Sequence, residues 1–439
     1  MLLFILLLNI IIWVLTVSQL LKCIFSLPGS LLLRIILSIY LTLTIFSYLY
    51  FISLSVSLSI VAFLTGIFII SIILLSFTWK KFKETTFRPG TGKISHIQLI
   101  IILVCILAIT GIFINFAQRY KYGDWDGWAL WNLHAKFLTS GSLYSRLFTS
   151  RLGWASPDYP LMLPSWIAIF WKCLGNYSPV IPSVIAYVVL ISISLSVFAS
   201  LHIQKQTAIG FLFLIIFPLD HIFISRSSSQ YADTLMALFI LLSIILFNHR
   251  NTEDKKLYYL LGFFTASSAW IKNEGILFFL VFSFYFILSS WRNRSAITRY
   301  FIGALLPLLV IILFKTWNAP VNGLVKEQSV NTFLQVLDVS RYIKIGQFYI
   351  SLLLTDFPVI IPLIITAFIF DRKYFLSWNS IILMTMQIGF LFVFLFTTED
   401  LTWGLNTACD RLTHQLYPAL IYTIICYFST RVTFSKNIP

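Results

Sequence analysis

Apolar runs of about 20 residues recur along the whole chain, the length an α-helix needs to cross the hydrocarbon core of a bilayer. Thirteen such runs are read, at 2–21, 31–50, 54–78, 97–116, 179–201, 207–224, 232–248, 257–273, 275–291, 300–316, 346–370, 376–396 and 415–430. Polar punctuation between them is sparse: charged residues make up 11% of the chain, hydrophobic residues 59%, and the mean hydropathy is +0.90. A soluble domain cannot cover its surface with so few charges. The expected fold class is an all-α polytopic membrane protein with about 13 transmembrane helices. Disordered, collagen-like, disulfide-scaffolded and soluble-enzyme chains are excluded together. The first run, Met1 to Leu21, lacks the basic start of a cleavable signal peptide and is read as a retained span.

Lys and Arg accumulate in cytoplasmic loops, which orients the spans. The connection Trp79 to His96 carries Lys80, Lys81, Lys83, Arg88 and Lys93 and is placed in the cytoplasm. Alternation puts 22–34, 202–206, 249–256, 292–299, 371–373 and the tail 431–439 on the same side. That side then holds 18 of the 31 Lys and Arg and only four of the 16 acids, so nearly all of the net charge of +15 is a topology signal. A nucleic-acid partner is not needed to explain it. The opposite face carries one long loop, 117–178, two more at 317–345 and 397–414, and short turns at 225–231 and 272–274. Three parts follow: an N-terminal three-helix segment with its cytoplasmic loop (1–96), a main transmembrane module (97–430) and a tail (431–439).

In the long loop, Asp124 or Asp126 is placed to cap a helix that ends at Gly141. Trp128, Trp131, Ala135 and Leu138 fall on one face of that helix, with Asn132 and Lys136 on another. The pattern suits a helix lying in the membrane interface with tryptophans at headgroup depth. Leu161 to Trp171 is expected to form a second interfacial helix, bracketed by Pro160, Pro164 and Gly175. Asp124 and Asp126 fit capping and dipole matching, and equally a pair of carboxylates suited to general-base work.

The segment W-D-G-W-A-L-W-x-x-x-A-K at 125–136 resembles the start of the first outer loop in GT-C membrane glycosyltransferases. The nearest resemblance is to the bacterial subgroup related to protein O-mannosyltransferases and to lipopolysaccharide galacturonosyl- and aminoarabinosyltransferases. Four further segments agree in order: P-D-Y-P-L-M-L-P at 157–164, Y-A-D-T-L at 231–235, W-I-K-N-E-G at 270–275 and D-L-T-W-G-L-N-T-A-C-D-R-L at 400–412. The resemblance covers residues 97–430, and the three preceding spans are an addition to it.

The resemblance implies a GT-C-like fold in the bacterial plasma (inner) membrane, working on its extracytoplasmic side. A polyprenyl-phosphate-linked sugar would be the donor, and a hydroxyl of a glycolipid, polysaccharide or protein the acceptor, with inversion at the anomeric centre. Asp126 is the implied base, with Asp124 as its partner or substitute. Asp158 would contact donor or acceptor, although S-P-D-Y-P also reads as a turn. Lys272, Asn273 and Glu274 interrupt an apolar stretch at a cost of about 2.5–3.5 kcal/mol per intramembrane charge. They read either as an outer turn with Lys272 and Glu274 paired, or with Lys272 on the lipid phosphate and Glu274 on the sugar or acceptor. Arg411, beside Asp410, suits the leaving phosphate, or snorkels to headgroups. Asp233 reads as a helix cap and Arg226 to Gln230 as a solvated turn. Trp125, Trp128, Tyr159 and Trp403 are candidates for stacking on a sugar.

The six histidines show no ligand spacing, so no dedicated metal site is expected, although Asp124 and Asp126 could hold a hard divalent cation. The five cysteines, Cys23, Cys105, Cys173, Cys409 and Cys426, form no C-x-x-C pair and read as packing residues. Two other functions suit the same pattern: a polyprenyl-lipid or glycolipid transporter or flippase, and a non-catalytic lipid-binding relative.

Overall fold

The computed structural model describes residues 1–25, 30–82, 95–251, 255–321 and 334–435, and among them every regular element is helical. Among the described residues, six helices are long and apolar enough to cross a membrane: Leu2–Lys22, Leu31–Ser55, His96–Arg119, Val180–Ile203, Arg294–Trp317 and Trp378–Leu395. Two bent pairs bring the number to eight if each is one span.

Those bends replace two runs expected to be continuous. The run at 207–224 is broken between Thr207–Leu219 and His221–Ser228, which meet at 69°. Pro218 sits in the last turn before the break, and the Asp220 side chain accepts from Phe223 N to start the next helix. The run at 346–370 is broken between Val339–Thr355 and Ile360–Phe370, bent by 98°. Asp356-Phe357-Pro358 lies in that break, and Pro358 keeps the residue before it out of the helical region. The tight turn between the runs ending at 50 and beginning at 54 is present but shifted: the second helix runs on to Ser55 and the chain turns at 56–59.

At the centre stands Ala232–Asn248, buried on every side from Ala232 to Phe247. A helix apolar all round belongs inside protein. Val180–Ile203, Leu257–Ser267 and Asp410–Ser435 pack around it. Leu257–Ser267 lies so close to Arg294–Trp317 that a Cβ on Gly262 would sit 1.8 Å from the Tyr300 carbonyl oxygen, and one on Gly303 2.0 Å from that of Tyr259. Small residues let helix backbones approach this closely. Gly262→Ala is therefore expected to force the pair apart and cost about 1–3 kcal/mol by overpacking. A lowered thermal midpoint in detergent checks it, with Gly111→Ala, which meets open space, as the control.

The N-terminal helices are sewn into the same core. The Tyr48 hydroxyl bonds Ser267 Oγ, Tyr50 donates to the Leu138 carbonyl, and Trp270 donates to Ser47. Trp166 donates to the Leu43 carbonyl from Met162–Leu174, the helix expected over 161–171. That helix does not lie on the surface. Met162 to Ile169 are all buried, because its apolar faces meet Leu31–Ser55 and Asn132–Leu138.

Candidate functional site

The long loop after His96–Arg119 enters the site through Gly123, which has a positive φ of 86°. Asp124 N then donates to the Ser229 carbonyl at 3.1 Å. Gly127 lies against the same carbonyl, so tightly that a Cβ there would stand 2.6 Å from it. This contact presses the loop start against the turn that follows His221–Ser228 and leaves Asp126 in the cavity lining. Residues Gly127–Trp131 then form a single π-helical turn. Its extra residue per turn separates two tryptophans expected on one face: Trp131 is 0% exposed and Trp128 47%. A second π-turn, Leu405–Cys409, delivers Asp410 and Arg411 at the start of the last helix. Turns of this kind are frequent at functional sites.

Between the two π-turns lies a cavity of about 430 Å³. Four carboxylates line it, from Asp124, Asp126, Asp233 and Asp410, with the guanidinium groups of Arg226 and Arg411. Arg411 Nη2 lies 2.6 Å from Asp126 Oδ2 and 3.3 Å from Asp233 Oδ2. Its guanidinium also stands over the Tyr231 ring at 4.8 Å. Arg226 Nη2 pairs with Asp356 and, at 3.1 Å, with Asp410. Buried His414 completes one wall, stacked on Phe223 and bonded through Nε2 to Thr234.

Asp233 is the hub of the cavity's buried wall, and it caps nothing: the residue before its helix is Tyr231, and no side chain caps that end. Its carboxylate accepts from Lys272 Nζ at 2.8 Å, from Gln415 Nε2 at 2.6 Å and from Arg411. Lys272 also pairs with Glu274 at 3.0 Å. The Lys272 side chain is only 2% exposed and lies outside the cavity lining. Of the two readings of this residue, the paired one describes its geometry, with the ammonium between Asp233 and Glu274. Arg226 is likewise no solvated-turn residue, since it bridges two carboxylates while Ser227, Ser228 and Gln230 are buried around it.

Asp158 stands apart from the cavity, in a third polar group. Asn273 Nδ2 donates to its carboxylate at 2.7 Å, and Lys315 Nζ donates to the Asp158 carbonyl and to Asn273 Oδ1. Neighbouring Tyr159 stacks on Trp131. The charge of Glu274, then burial, holds the Tyr159 phenol well above its usual range. Burial, then Asp124 and Asp126, does the same to Tyr231. Both hydroxyls therefore stay neutral near pH 7.

Among the described residues, no three His, Cys, Asp or Glu side chains come together to hold a metal ion. Asp124 and Asp126 supply two carboxylates to the cavity, and that of Asp126 is engaged with Arg411.

His134 anchors the loop from behind. Its Nε2–H donates to the Ala155 carbonyl at 2.7 Å, and burial lowers its pKa to about 4. The folded chain thus holds the ring neutral while the unfolded chain protonates it near pH 6.5. The stability His134 contributes is complete above that pH and falls as pH drops toward 4, by up to about 3 kcal/mol. The gap in thermal midpoint between the wild type and His134→Gln is expected to shrink from pH 7.5 to 4.5. A constant gap would reject the assignment.

Fold and cavity together define an all-helical chain of the polytopic membrane type, with a charged cavity assembled from distant segments. No protein-family model, curated protein or solved structure matches it.

Proposed function

We propose that the chain is a membrane glycosyltransferase, moving a sugar from a polyprenyl-phosphate donor to an acceptor hydroxyl. The observation that carries this reading is the pairing of Asp126 with Arg411 in one cavity, a carboxylate beside a guanidinium. Asp126 takes the proton of the acceptor hydroxyl as the glycosidic bond forms. Arg411 holds the departing phosphate through its planar donors, as Asp126 turns from it to the acceptor. Asp233, with Lys272 behind it, keeps Arg411 in place during that exchange. An apolar groove of about 580 Å³ between His96–Arg119 and Val180–Ile203 supports a lipid donor. It ends at Lys121, the neighbour of cavity-lining Tyr120. The thirteen-span topology and the extracytoplasmic side of a bacterial inner membrane belong to this proposal. The span count rests on the apolar runs, the side on the Lys and Arg distribution, and the bacterial inner membrane on the resemblance.

The test is release of polyprenyl phosphate from a polyprenyl-phosphate-linked sugar by the purified chain in lipid vesicles, with envelope glycolipid, polysaccharide and protein fractions as acceptors. Release that requires an acceptor supports the proposal, and none with any fraction rejects it. The two bent helix pairs favour a second reading, a polyprenyl-lipid or glycolipid transporter, since broken helices line transport sites. In that case labelled lipid crosses the vesicle membrane and no glycosidic bond breaks.

A further inference from the structure

A second cavity of about 280 Å³ opens along the C-terminal half of Val339–Thr355, the first helix of a bent pair, and reaches the bend at Asp356. Phe348, Ser351 and Thr355 reach it from one face of the first helix, at steps of three and four residues. Asp356 lines it from the bend. Asn406 and Asp410 line both this cavity and the main one, so the two adjoin. Arg226 bridges Asp356 and Asp410 across the junction. The lining thus offers two hydroxyls, an amide and two carboxylates beside an apolar side made by Phe348 and Leu352. Among the described residues it has no metal-holding cluster, and both carboxylates already share a guanidinium.

Such a lining suits a neutral ligand dense in hydroxyl groups with one apolar face. Carboxylates and the amide oxygen accept from its hydroxyls, and the amide N–H donates to them. The Thr355 hydroxyl donates to the Ser351 carbonyl, which leaves its lone pairs for a ligand hydroxyl. We infer that the second cavity is a carbohydrate subsite, which takes a sugar ring next to the Asp126–Arg411 pair. The inference rests on the glycosyltransferase reading for its place in a reaction, and on the cavity lining for the binding itself.

Saturation-transfer NMR on the full chain in lipid nanodiscs tests it, with methyl glucoside, methyl galactoside, methyl mannoside and methyl xyloside as probes. Ring-proton signals are expected for the wild type and for Asp126→Asn. They are expected to fall about fivefold in Thr355→Val and in Asn406→Leu, the loss of one hydrogen bond each. No signal in the wild type, or full signal in both subsite variants, overturns the proposal. Adding polyprenyl-phosphate-linked glucose identifies the source of the ring. Displaced methyl glucoside assigns the subsite to the donor sugar, and retained methyl glucoside assigns it to the acceptor. Both results keep the subsite. Binding without any release of polyprenyl phosphate would leave the subsite standing and remove the transferase reading, whereas release without binding would do the reverse.

Discussion

Asp126→Asn is expected to lower sugar transfer by about 10²–10⁴-fold, the usual contribution of a positioned general base. The amide keeps the size and one oxygen of the carboxylate, and it loses the ability to take a proton. Its effect on folding should be small. The Asp126 and Arg411 side chains are both only about one-fifth exposed, but the amide oxygen of the asparagine can still accept from the guanidinium. Arg411 also keeps Asp233 as a partner. The measurement is polyprenyl-phosphate release by wild type and variant at matched protein, alongside their thermal midpoints. Activity within threefold of wild type would remove Asp126 from the role of base. Lost activity with a midpoint many degrees lower would assign it to structure instead.

Lys272→Met is expected to cost about 3–5 kcal/mol of stability, the penalty for breaking a buried pair by deleting one partner. Asp233 and Lys272 are 3% and 2% exposed, so water cannot replace the lost ammonium. Gln415 and Arg411 still bond the orphaned carboxylate, which places the loss toward the lower end of that range. Lys272→Met combined with Asp233→Asn removes both charges and should recover part of the loss. Thermal unfolding followed by tryptophan fluorescence in detergent checks both. A single variant as stable as the wild type would show that the pair is not buried in the folded chain.

The site was partly legible beforehand for a physical reason. A charge in an apolar run is costly, so each one that persists marks a place where something pairs with it. That reasoning singled out Lys272 and Glu274, while Asp124, Asp126, Asp158, Asp410 and Arg411 came with the resemblance; of these seven, Asp124, Asp126, Asp410 and Arg411 line the main cavity. It failed where a local explanation was sufficient. Asp233 in the first turn of a helix looks like a cap, and Arg226 among serines looks like a turn. Neither position reveals that Arg411, Lys272 and Gln415 converge on the one, or Asp356 and Asp410 on the other. Asp356 and Lys315 carried the same signal, a charge inside an apolar run, and went unread.

Hydropathy was enough to establish an all-helical chain and the rough position of nearly every helix, because burial or lipid exposure of about 20 apolar residues depends on composition alone. Composition could not show which runs bend, since Pro218 and Pro358 act on backbone geometry within a uniformly apolar background. Nor could it show that Trp131 turns inward while Trp128 stays out, a separation made by one π-turn. Which charges share a cavity and which are locked beneath it depends on contacts between residues far apart in the chain. Folding brings Asp126, Asp233 and Arg411 within hydrogen-bonding distance and leaves Lys272 sealed behind them.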